Sequence, residues 1–405
     1  MKIPFSPPYI DDDVINEVKD SLLSGWITTG PKVAALEKEF QKLTGAKACN
    51  AINSWTSGAI LALKWLNLKP EDEVIVPAYT YCATAMAVIE AGGKPIMVDI
   101  NDDFTINTEQ VRKAINKNTK VIMPVDLGGM PADYIEIKNI ITSKEILDLF
   151  TPTSENQKKL GRIMILSDSA HSLGAKIGQR SIAMMTDICV ISLHAVKNIT
   201  SAEGGMICLN LPKPFDNQEL HNWFNIMSLN GQTKDSFAKT QLASWRYDVA
   251  DLGLKINLPD VNAAIALAQL RKYDMLLKER KRVFDKYTSF LKCYNWAICP
   301  YANREKDITM SYHLYPLRIQ GITIEQRDKI IELLAQKEIS TNVHYIPLPM
   351  LTLFKNLSYK MENYPVSYSI FQNEITLPLY PQLTNEQVDF LLSNLVKSYE
   401  IVTKQ

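Results

Sequence analysis

A lysine and an aspartate near the ends of two apolar runs are the residues of this chain whose types and positions could do chemistry. Lys197 comes shortly after the β-branched run 188–191, and Asp168 closes the run 163–166. Such runs are typical of buried parallel strands, so both side chains are expected just past a strand's end. A lysine beside apolar neighbours can lose its proton and attack a carbonyl. A buried carboxylate there needs a cationic partner.

Pyridoxal phosphate (PLP) is the cofactor that uses such a lysine and such an acid on opposite ends of one ring. Asp168 facing the ring nitrogen would keep it protonated, so that the ring draws electrons from the substrate carbon. The fold-type I aminotransferases have an acid followed by a lysine, both after short strands. Simpler interpretations stay open: Lys197 as a solvated surface group, Asp168 as a helix N-cap, and His171 as a structural histidine.

Three further stretches could line a site. The turn 53–58, N-S-W-T-S-G, precedes a long apolar helix, and free amides at a helix start bind anions such as a cofactor phosphate. A serine or threonine cap without a ligand would explain it equally. Tyr81, past the strand 73–77, could stack on a flat ring or be a core tyrosine. Thr28 and Thr29 could line a substrate entrance or make only local backbone bonds.

Composition limits the classes of partner. The 405 residues suggest two domains, and a hydrophobic content of 46% allows a sizeable core. The formal net charge is zero, so no broad basic face indicates nucleic acid or an anionic membrane. No apolar run is long enough to span a membrane and no signal peptide is visible, so a cytoplasmic protein with small-molecule partners is expected. The six scattered cysteines predict reduced core thiols and no metal site.

The order of elements predicts an α/β fold. Strand, helix and strand between residues 73 and 100 form a parallel crossover, and the run 121–125 repeats the strand-to-loop pattern at Asp126. Ligands bind at the carboxyl ends of such strands. The pattern predicts a mostly parallel central sheet flanked by helices, with a large PLP-binding domain at 1–255 and a smaller α+β C-terminal domain with its connecting helix at 256–405.

Several local predictions complete this outline. A long helix is expected to start at Pro259 and to continue through the charged run K-E-R-K-R. Residues 131–162 read as an exposed helix and loop without chemistry, and residues 212–249 as a mobile excursion. Within the C-terminal part, the pattern predicts strands at 313–319 and 340–344 and helices at 324–337 and 385–396.

The motifs together resemble a known family. S-G-W-I-T-T-G-P-K, P-A-Y-T-Y-C-A-T-A, S-D-S-A-H-S-L-G, L-H-A-V-K-N-I-T-S-A-E-G-G and L-K-I-N-L-P-D-V-N-A-A-I-A-L-A-Q-L occur in the order seen in the DegT/DnrJ/EryC1/StrS sugar aminotransferases. The resemblance covers nearly the whole chain. Within the family it is most similar to enzymes acting on nucleotide-linked 4-keto sugars, such as those that make UDP-4-amino-4-deoxy-L-arabinose. It implies the fold-type I architecture and PLP as cofactor.

The resemblance also implies roles for residues around the cofactor ring. Lys197 would hold the cofactor covalently and carry the proton between substrate and cofactor carbons. Asp168 would face the pyridine nitrogen, His171 would approach the ring hydroxyl, and Tyr81 would stack on the ring.

At the other end of the cofactor, the resemblance implies a phosphate site. Thr56, with the amides around Trp55 and Ser57, would hold the phosphate together with Ser192. Asn257 would arrive from a second subunit, which implies a homodimer with shared active sites.

Some positions depart from the family's pattern. Trp55 stands where a small residue is usual, so its indole must turn away from the phosphate or reshape the sugar pocket. Asp126 replaces a common histidine, which puts a proton-transfer role there in doubt. The segment 131–162 is longer than usual and is expected to be a surface elaboration. Contacts around Thr28, Trp55, the segment 212–249 and His344 would decide among sugar isomers.

The predicted function is transfer of an amino group from glutamate to a nucleotide-linked keto sugar for polysaccharide or glycan biosynthesis, such as lipopolysaccharide. The related sugar dehydratases carry histidine at the lysine position, so Lys197 argues against them. An aromatising aminobenzoate synthase of the same fold and a non-catalytic PLP-binding regulator stay open as alternatives.

Overall fold

A computed structural model of the chain describes residues 1–233, 246–301 and 307–404. Its helices are α1 (Asp12–Leu23), α2 (Pro31–Thr44), α3 (Trp55–Leu66), α4 (Ala83–Glu90), α5 (Thr108–Ala114), α6 (Tyr134–Thr142), α7 (Lys144–Leu149), α8 (Glu155–Leu160), α9 (Ile182–Met185), α10 (Asn217–Met227), α11 (Asp260–Leu270), α12 (Tyr273–Leu291), α13 (Ile324–Ala335), α14 (Thr352–Asn356), α15 (Pro365–Asn373) and α16 (Asn385–Thr403). Its strands are β1 (Ala48–Ile52), β2 (Glu73–Pro77), β3 (Lys94–Val98), β4 (Thr119–Ile122), β5 (Met164–Asp168), β6 (Lys176–Ile177), β7 (Arg180–Ser181), β8 (Ile188–Ser192), β9 (Gly205–Leu209), β10 (Ala297–Ile298), β11 (Ile308–Thr309), β12 (Tyr315–Ile319) and β13 (Glu374–Leu377).

A seven-stranded sheet organises the first part of the chain. Its strand order is β1-β9-β8-β5-β4-β2-β3, and the pairings are parallel except for those of β9 with β1 and β8. Side chains alternate between two cores: Ile188 and Val190 of β8 pack towards α3, whereas Cys189 and Ile191 pack towards α2 and α11. Helices cover both faces, which is why these strands are almost continuously apolar. The predicted α/β sheet is confirmed.

The parallel strands bring their carboxyl ends to one edge of this sheet. β5 ends at Asp168 and β8 at Ser192, while β1 ends at Ile52 just before the turn that starts α3. The ends of these strands are adjacent, because Ile52 and Ser192 both face Gly205 of β9. The motifs singled out in the sequence therefore meet along this edge.

The C-terminal part packs on the same edge. The antiparallel sheet β10-β12-β13 shares a core with α12, α13 and α16, and this core includes Tyr79 and Leu127 from the loops beyond β2 and β4. The predicted α+β character is confirmed. Leu258 and Leu267, at and beyond the proposed boundary, pack instead with Phe40 of α2. The division into 1–255 and 256–405 stays a prediction.

The prediction of one long helix from Pro259 is wrong. Pro259 is the N-cap of α11, which ends at Leu270, and α12 begins at Tyr273. At the break, Lys272 turns towards α1 and forms ion pairs with Asp11 and Asp13. The charged run K-E-R-K-R lies on α12.

The predicted strand at 340–344 is also wrong. This segment makes a single bridge, between Asn342 and Thr376, and the amide of His344 donates to the Glu374 carboxyl at 3.0 Å. Because a side chain takes this amide, a regular ladder cannot form. The strand that completes the small sheet is β13, which the sequence pattern did not predict. The strand predicted at 313–319 begins two residues later, at Tyr315.

Two segments predicted as peripheral are partly built into the core. In the segment 131–162, helix α6 buries Tyr134, Ile137, Ile140 and Ile141, so the prediction of an exposed elaboration is wrong for this helix. In the segment 212–249, helix α10 buries Phe224, so this portion is not an excursion. Residues 234–245 of the second segment lie outside the described residues.

The six cysteines are all free thiols. Cys49, Cys189 and Cys208 are buried and directly opposed on β1, β8 and β9. Cys293 is exposed, so the prediction of core thiols is wrong for this residue. Within the described ranges no helix is long and apolar enough to cross a bilayer, and no three potential metal ligands are grouped.

Candidate active site

Asp168 is the buried acid of the site. It is the last residue of β5 and 5% exposed. Its Oδ2 accepts a hydrogen bond from Thr84 Oγ1 at 2.8 Å, and its Oδ1 accepts from the amide of Ala170 at 3.2 Å. Burial raises the pKa of Asp168 to about 6, although these two bonds and the charge of Lys197 oppose the shift. A nearby cation would stabilise this carboxylate.

Lys197 supplies the amine. The turn after β8 carries it, and its backbone amide donates to His194 O at 2.9 Å. Burial lowers the pKa of its amine to about 8, while the charge of Asp168 opposes this shift. At pH 7 about one amine in ten is then neutral, compared with about one in three thousand for an ordinary lysine. An amine that is partly neutral at this pH can act as a nucleophile and as a proton carrier.

His171 is buried as a neutral imidazole. Burial lowers the pKa of His171 well below its ordinary value, as does the charge of Lys197. Its Nδ1 accepts from the amide of Gly128 at 3.1 Å, so the ring proton lies on Nε2, which is 3.4 Å from the hydroxyl of Tyr345. The ring also lies 4.3 Å, between centroids, from that of His313. Nε2 can donate a hydrogen bond to a ligand oxygen.

Tyr81 is not a core tyrosine. Its side chain is 59% exposed, whereas Tyr79, two residues earlier, is completely buried. The ring centroid of Tyr81 lies 5.8 Å from that of Tyr345, which follows His344. Tyr81 therefore offers an open aromatic face at the mouth of the site, as stacking requires.

The turn before α3 has the features of both interpretations made from the sequence. Ser54 is the N-cap, because its Oγ accepts from the amide of Ser57 at 3.1 Å. The amides of the first turn at Trp55 and Thr56 have no partner within the helix and can face an anion. A Cβ on Gly205 would lie 2.8–2.9 Å from the backbone of this turn, so glycine lets β9 approach it. Ser192, at the adjacent strand end, is buried.

The indole of Trp55 turns away from this turn into the core. It is 7% exposed, and its Nε1 donates to the carbonyl of Val190 at 3.0 Å. The same carbonyl accepts the amide of Ser169 at 3.0 Å. Two orientations were expected for Trp55, and the structure has the one in which the indole turns away from the phosphate. Only the backbone amide of Trp55 can therefore serve a phosphate.

Thr28, Thr29 and Asn257 are joined in one place. Asn257 Nδ2 donates to Thr29 Oγ1, and Thr29 Oγ1 donates to Leu258 O, both at 2.6 Å. The carbonyl of Thr28 accepts the amide of Asp260 at 3.2 Å. The loop 24–32 is thus tied to the segment that leads into α11. The role of Asn257 in a second subunit stays a prediction.

His344 lies beside Tyr345 and is also neutral. Burial lowers its pKa to about 3, and the charge of Lys197 acts in the same direction. Its Nδ1 lies 2.9 Å from Thr376 Oγ1, and its ring stacks on Phe5 at 5.5 Å between centroids. The ring of His344 lies 4.8 Å, between centroids, from that of Tyr345, whose hydroxyl is 3.4 Å from His171 Nε2, so His344 lies next to the site.

Sequence reasoning missed several residues that support this site. Thr84 lies within the quoted motif P-A-Y-T-Y-C-A-T-A, but nothing in the sequence indicated that it bonds to Asp168. Tyr345 gave no signal. The pair Gly128 and Gly129, each with positive φ, follows Asp126 and could have indicated a close backbone approach.

A mostly parallel sheet that ends in a buried acid and a lysine of lowered pKa is the architecture of the fold-type I, PLP-dependent transferases. The chain matches the DegT/DnrJ/EryC1/StrS aminotransferase family over residues 8–150 and 155–396. It belongs to this family.

Individual relatives agree with this assignment. The putative sugar aminotransferase Spr1654 from Streptococcus pneumoniae, in its PMP-form, is 42% identical, with a TM-score of 0.94 over 99% of this chain and 100% of that one. Its PLP-form has a TM-score of 0.93 at 40% identity, over 99% and 100%. The spore coat polysaccharide biosynthesis protein SpsC of Bacillus subtilis is 32% identical over 96% of this chain and 94% of that protein.

Proposed function

We propose that this aminotransferase uses PLP to move an amino group from glutamate to a nucleotide-linked keto sugar, a 4-keto-6-deoxy sugar or a relative of one. The observation that carries the proposal is the pair formed by Asp168 and Lys197, a buried acid and an amine of lowered pKa at one sheet edge. The family and the sugar aminotransferases similar to this chain support it, and the relation to SpsC supports a role in polysaccharide biosynthesis.

The residues at the sheet edge fit PLP at both of its ends. At the ring end, the buried carboxyl of Asp168 requires a cation, which a protonated pyridine nitrogen would provide. His171 presents a donor for the ring hydroxyl, and Tyr81 an exposed aromatic face. At the phosphate end, the start of α3 presents amides and Ser192 a hydroxyl. When bound, PLP supplies an electron sink to the substrate carbon.

The chain's own groups then perform the remaining work. Asp168 would keep the proton on the ring nitrogen, and its bond from Thr84 favours the carboxylate form that this requires. Lys197 would hold the cofactor and, once an amino substrate has taken its place, would carry a proton at its Nζ. A pKa of about 8 suits both tasks near neutral pH, because each protonation state is accessible.

Glutamate as donor, the nucleotide and the sugar are parts of this proposal. The proposal also includes a homodimer in which Asn257 completes the active site of the partner subunit. Thr29, which is bonded to Asn257, would lie at that same site. His344 and Thr28 are proposed to contact the sugar. A cytoplasmic location also stays a prediction.

The test combines glutamate with UDP- and dTDP-linked keto sugars and reads the product mass. Lys197→Ala should abolish turnover and covalent retention of PLP. Lys120→Met is a matched control, because Lys120 is 1% exposed and burial lowers its pKa, but its partner is Asp72. Its variant should keep the rate of the wild type.

Other outcomes of this test contradict the proposal in distinct ways. Turnover by Lys197→Ala, or a purified protein that cannot retain PLP, would refute PLP chemistry at this residue. Conversion of aminodehydroshikimate, offered in place of the sugars, to an aromatic aminobenzoate by loss of one water would indicate the aminobenzoate synthase. A cofactor absorbance that glutamate leaves unchanged would indicate the regulator.

A further inference from the structure

Asp126 is a buried carboxyl for which the proposed reaction has no direct use. It follows β4 and is completely buried. Its Oδ1 accepts from the amide of Ala132 at 2.9 Å and from the hydroxyl of Tyr134 at 2.8 Å. Its Oδ2 accepts from Ser169 Oγ at 3.0 Å and Ser172 Oγ at 2.6 Å.

These contacts surround the segment that carries the acid and the histidine of the site. Ser169 follows Asp168 directly, and Ser172 follows His171. The backbone adds a further connection, because the amide of Asp126 donates to Asp168 O at 3.1 Å. Asp126 therefore fixes both ends of the turn between Asp168 and His171.

The loop that begins at Asp126 also reaches His171 directly. The amide of Gly128 donates to His171 Nδ1, which sets the tautomer of that ring. Gly129 packs under the same turn: a Cβ there would lie 2.1 Å from Ser311 Oγ and 3.2 Å from His171 O. One short segment thus determines the position of Asp168 and the proton position of His171.

The charge of Asp126 has a second effect. Five groups donate to its two oxygens, the fifth being Ser167 Oγ at 3.5 Å from Oδ2. This is the arrangement a carboxylate requires, because a carboxylate only accepts. These bonds oppose burial, which raises the pKa of Asp126. Its negative charge also raises the pKa of Asp168, so the two carboxylates sense one another. A second negative charge behind Asp168 would favour a protonated ring above it.

We propose that Asp126 is a positioning residue of this active site, which holds Asp168 and His171 in place and adds negative charge behind the cofactor ring, without exchanging protons with the substrate. This inference rests on the proposed function. It gives a role to a buried carboxyl that the proposed reaction does not use directly.

Asp126→Asn is the direct test, because asparagine keeps the size of the side chain but loses its charge and two acceptor positions. The measurement is the visible absorbance of the PLP-loaded enzyme as a function of pH. With less negative charge near the ring, the midpoint of this titration should fall by about one pH unit, and kcat by about tenfold. A purely structural role would leave the midpoint unchanged.

Several titratable groups interact with Asp126 or with Lys197, and the control variant must leave all of them in place. Those that interact with Asp126 or Lys197 are Tyr134, Asp168, His171, Cys189, His313 and His344. Asp99→Asn is the matched control, because Asp99 is equally buried but accepts from Val366 and Ser367 beyond β3. It should lower stability and leave the midpoint unchanged.

A second variant provides an independent test if Asp126→Asn does not fold. Replacing both Ser169 and Ser172 by alanine removes two of the five donors, so Asp126 ionises less readily. The midpoint should then move in the same direction by a smaller amount. If the midpoints of both variants equal those of the wild type and Asp99→Asn, the inference is overturned. A wild-type protein that neither binds PLP nor transfers amino groups would instead overturn the proposed function.

Discussion

Thr84 offers a sharp test of how the ionisation of Asp168 is controlled. Both side chains are buried, and their hydrogen bond of 2.8 Å is among the influences that lower the pKa of Asp168 against its burial. Thr84→Val keeps the shape of the side chain and removes the donor. A hydrogen bond to a charged group contributes about 1.5–3 kcal/mol, which corresponds to about 10- to 150-fold in the ionisation equilibrium.

The consequence can be expressed as a fraction. With a pKa of about 6, Asp168 is about nine tenths ionised at pH 7 in the cofactor-free protein. Loss of about 1.5 kcal/mol would reduce this to about one half, and a larger loss would leave the protonated form in excess. Since only the carboxylate can stabilise a protonated ring, the rate of the glutamate half-reaction should fall with it.

The assay follows the bleaching of the PLP absorbance by glutamate in single turnovers between pH 6 and pH 9. For a loss of about 1.5–3 kcal/mol, Thr84→Val should react about two- to fifteenfold more slowly than the wild type at pH 7, and the deficit should shrink towards pH 9 as Asp168 ionises again. Titration of Lys197 affects both proteins alike, so their ratio isolates Asp168.

Thr80→Val provides the control, because Thr80 is also buried but its Oγ1 bonds to Thr84 Oγ1 at 3.0 Å and not to the acid. It should change the rate little at any pH. A deficit of Thr84→Val that is equal at all pH values, or no deficit, would refute the reasoning.

Three further predictions concern stability. Burial raises the pKa of Glu374 from the ordinary 4.5 to about 8. The contribution of Glu374 to stability is therefore present below pH 4.5 and lost as the pH rises through 8. Glu374→Gln should withstand more urea than the wild type at pH 9, with a smaller difference at pH 5. Trp55→Phe removes the bond to Val190 and should lower the free energy of unfolding by about 1–3 kcal/mol, and a greater effect on PLP affinity than on unfolding would contradict the core position of the indole. Gly129→Ala should cost about 1–3 kcal/mol and reduce activity, because φ is +95° and Ser311 occupies the space of the new Cβ. Gly161→Ala, with φ +71° and open space, should cost only about 1–2 kcal/mol when measured by urea unfolding and should keep full activity.

The sequence was sufficient for the parts of the fold that depend on regular patterns. Apolar runs of strand length predicted β5 and β8, and therefore the position of Asp168 and Lys197 at one sheet edge. This prediction works because parallel strands must end on the same side when their connections are helical crossovers.

The sequence was insufficient where long-range contacts decide. The strand predicted at 340–344 was lost because Glu374, thirty positions along the chain, takes the amide of His344. The helix predicted to run on from Pro259 stops where Lys272 meets the acidic residues of α1. Neither competing contact can be recognised from a local pattern.

The same limit applies to the candidate site. Trp55 could be expected either to turn inward or to reshape the pocket, and only the position of the Val190 carbonyl decides between the two. Asp126 stands out in the sequence as a departure from the family's pattern, but its five donors come from two separate segments, 132–134 and 167–172. Exposure distinguished Tyr81 from Tyr79, although both belong to one motif.

The carbonyl of Val190 receives both the indole of Trp55 and the amide of Ser169. One oxygen atom thereby joins the helix start proposed to hold the phosphate to the loop proposed to hold the pyridine nitrogen. The spacing between the two ends of the cofactor pocket is consequently set before any ligand enters, and a B6 vitamer without its phosphate would contact only one of the two ends.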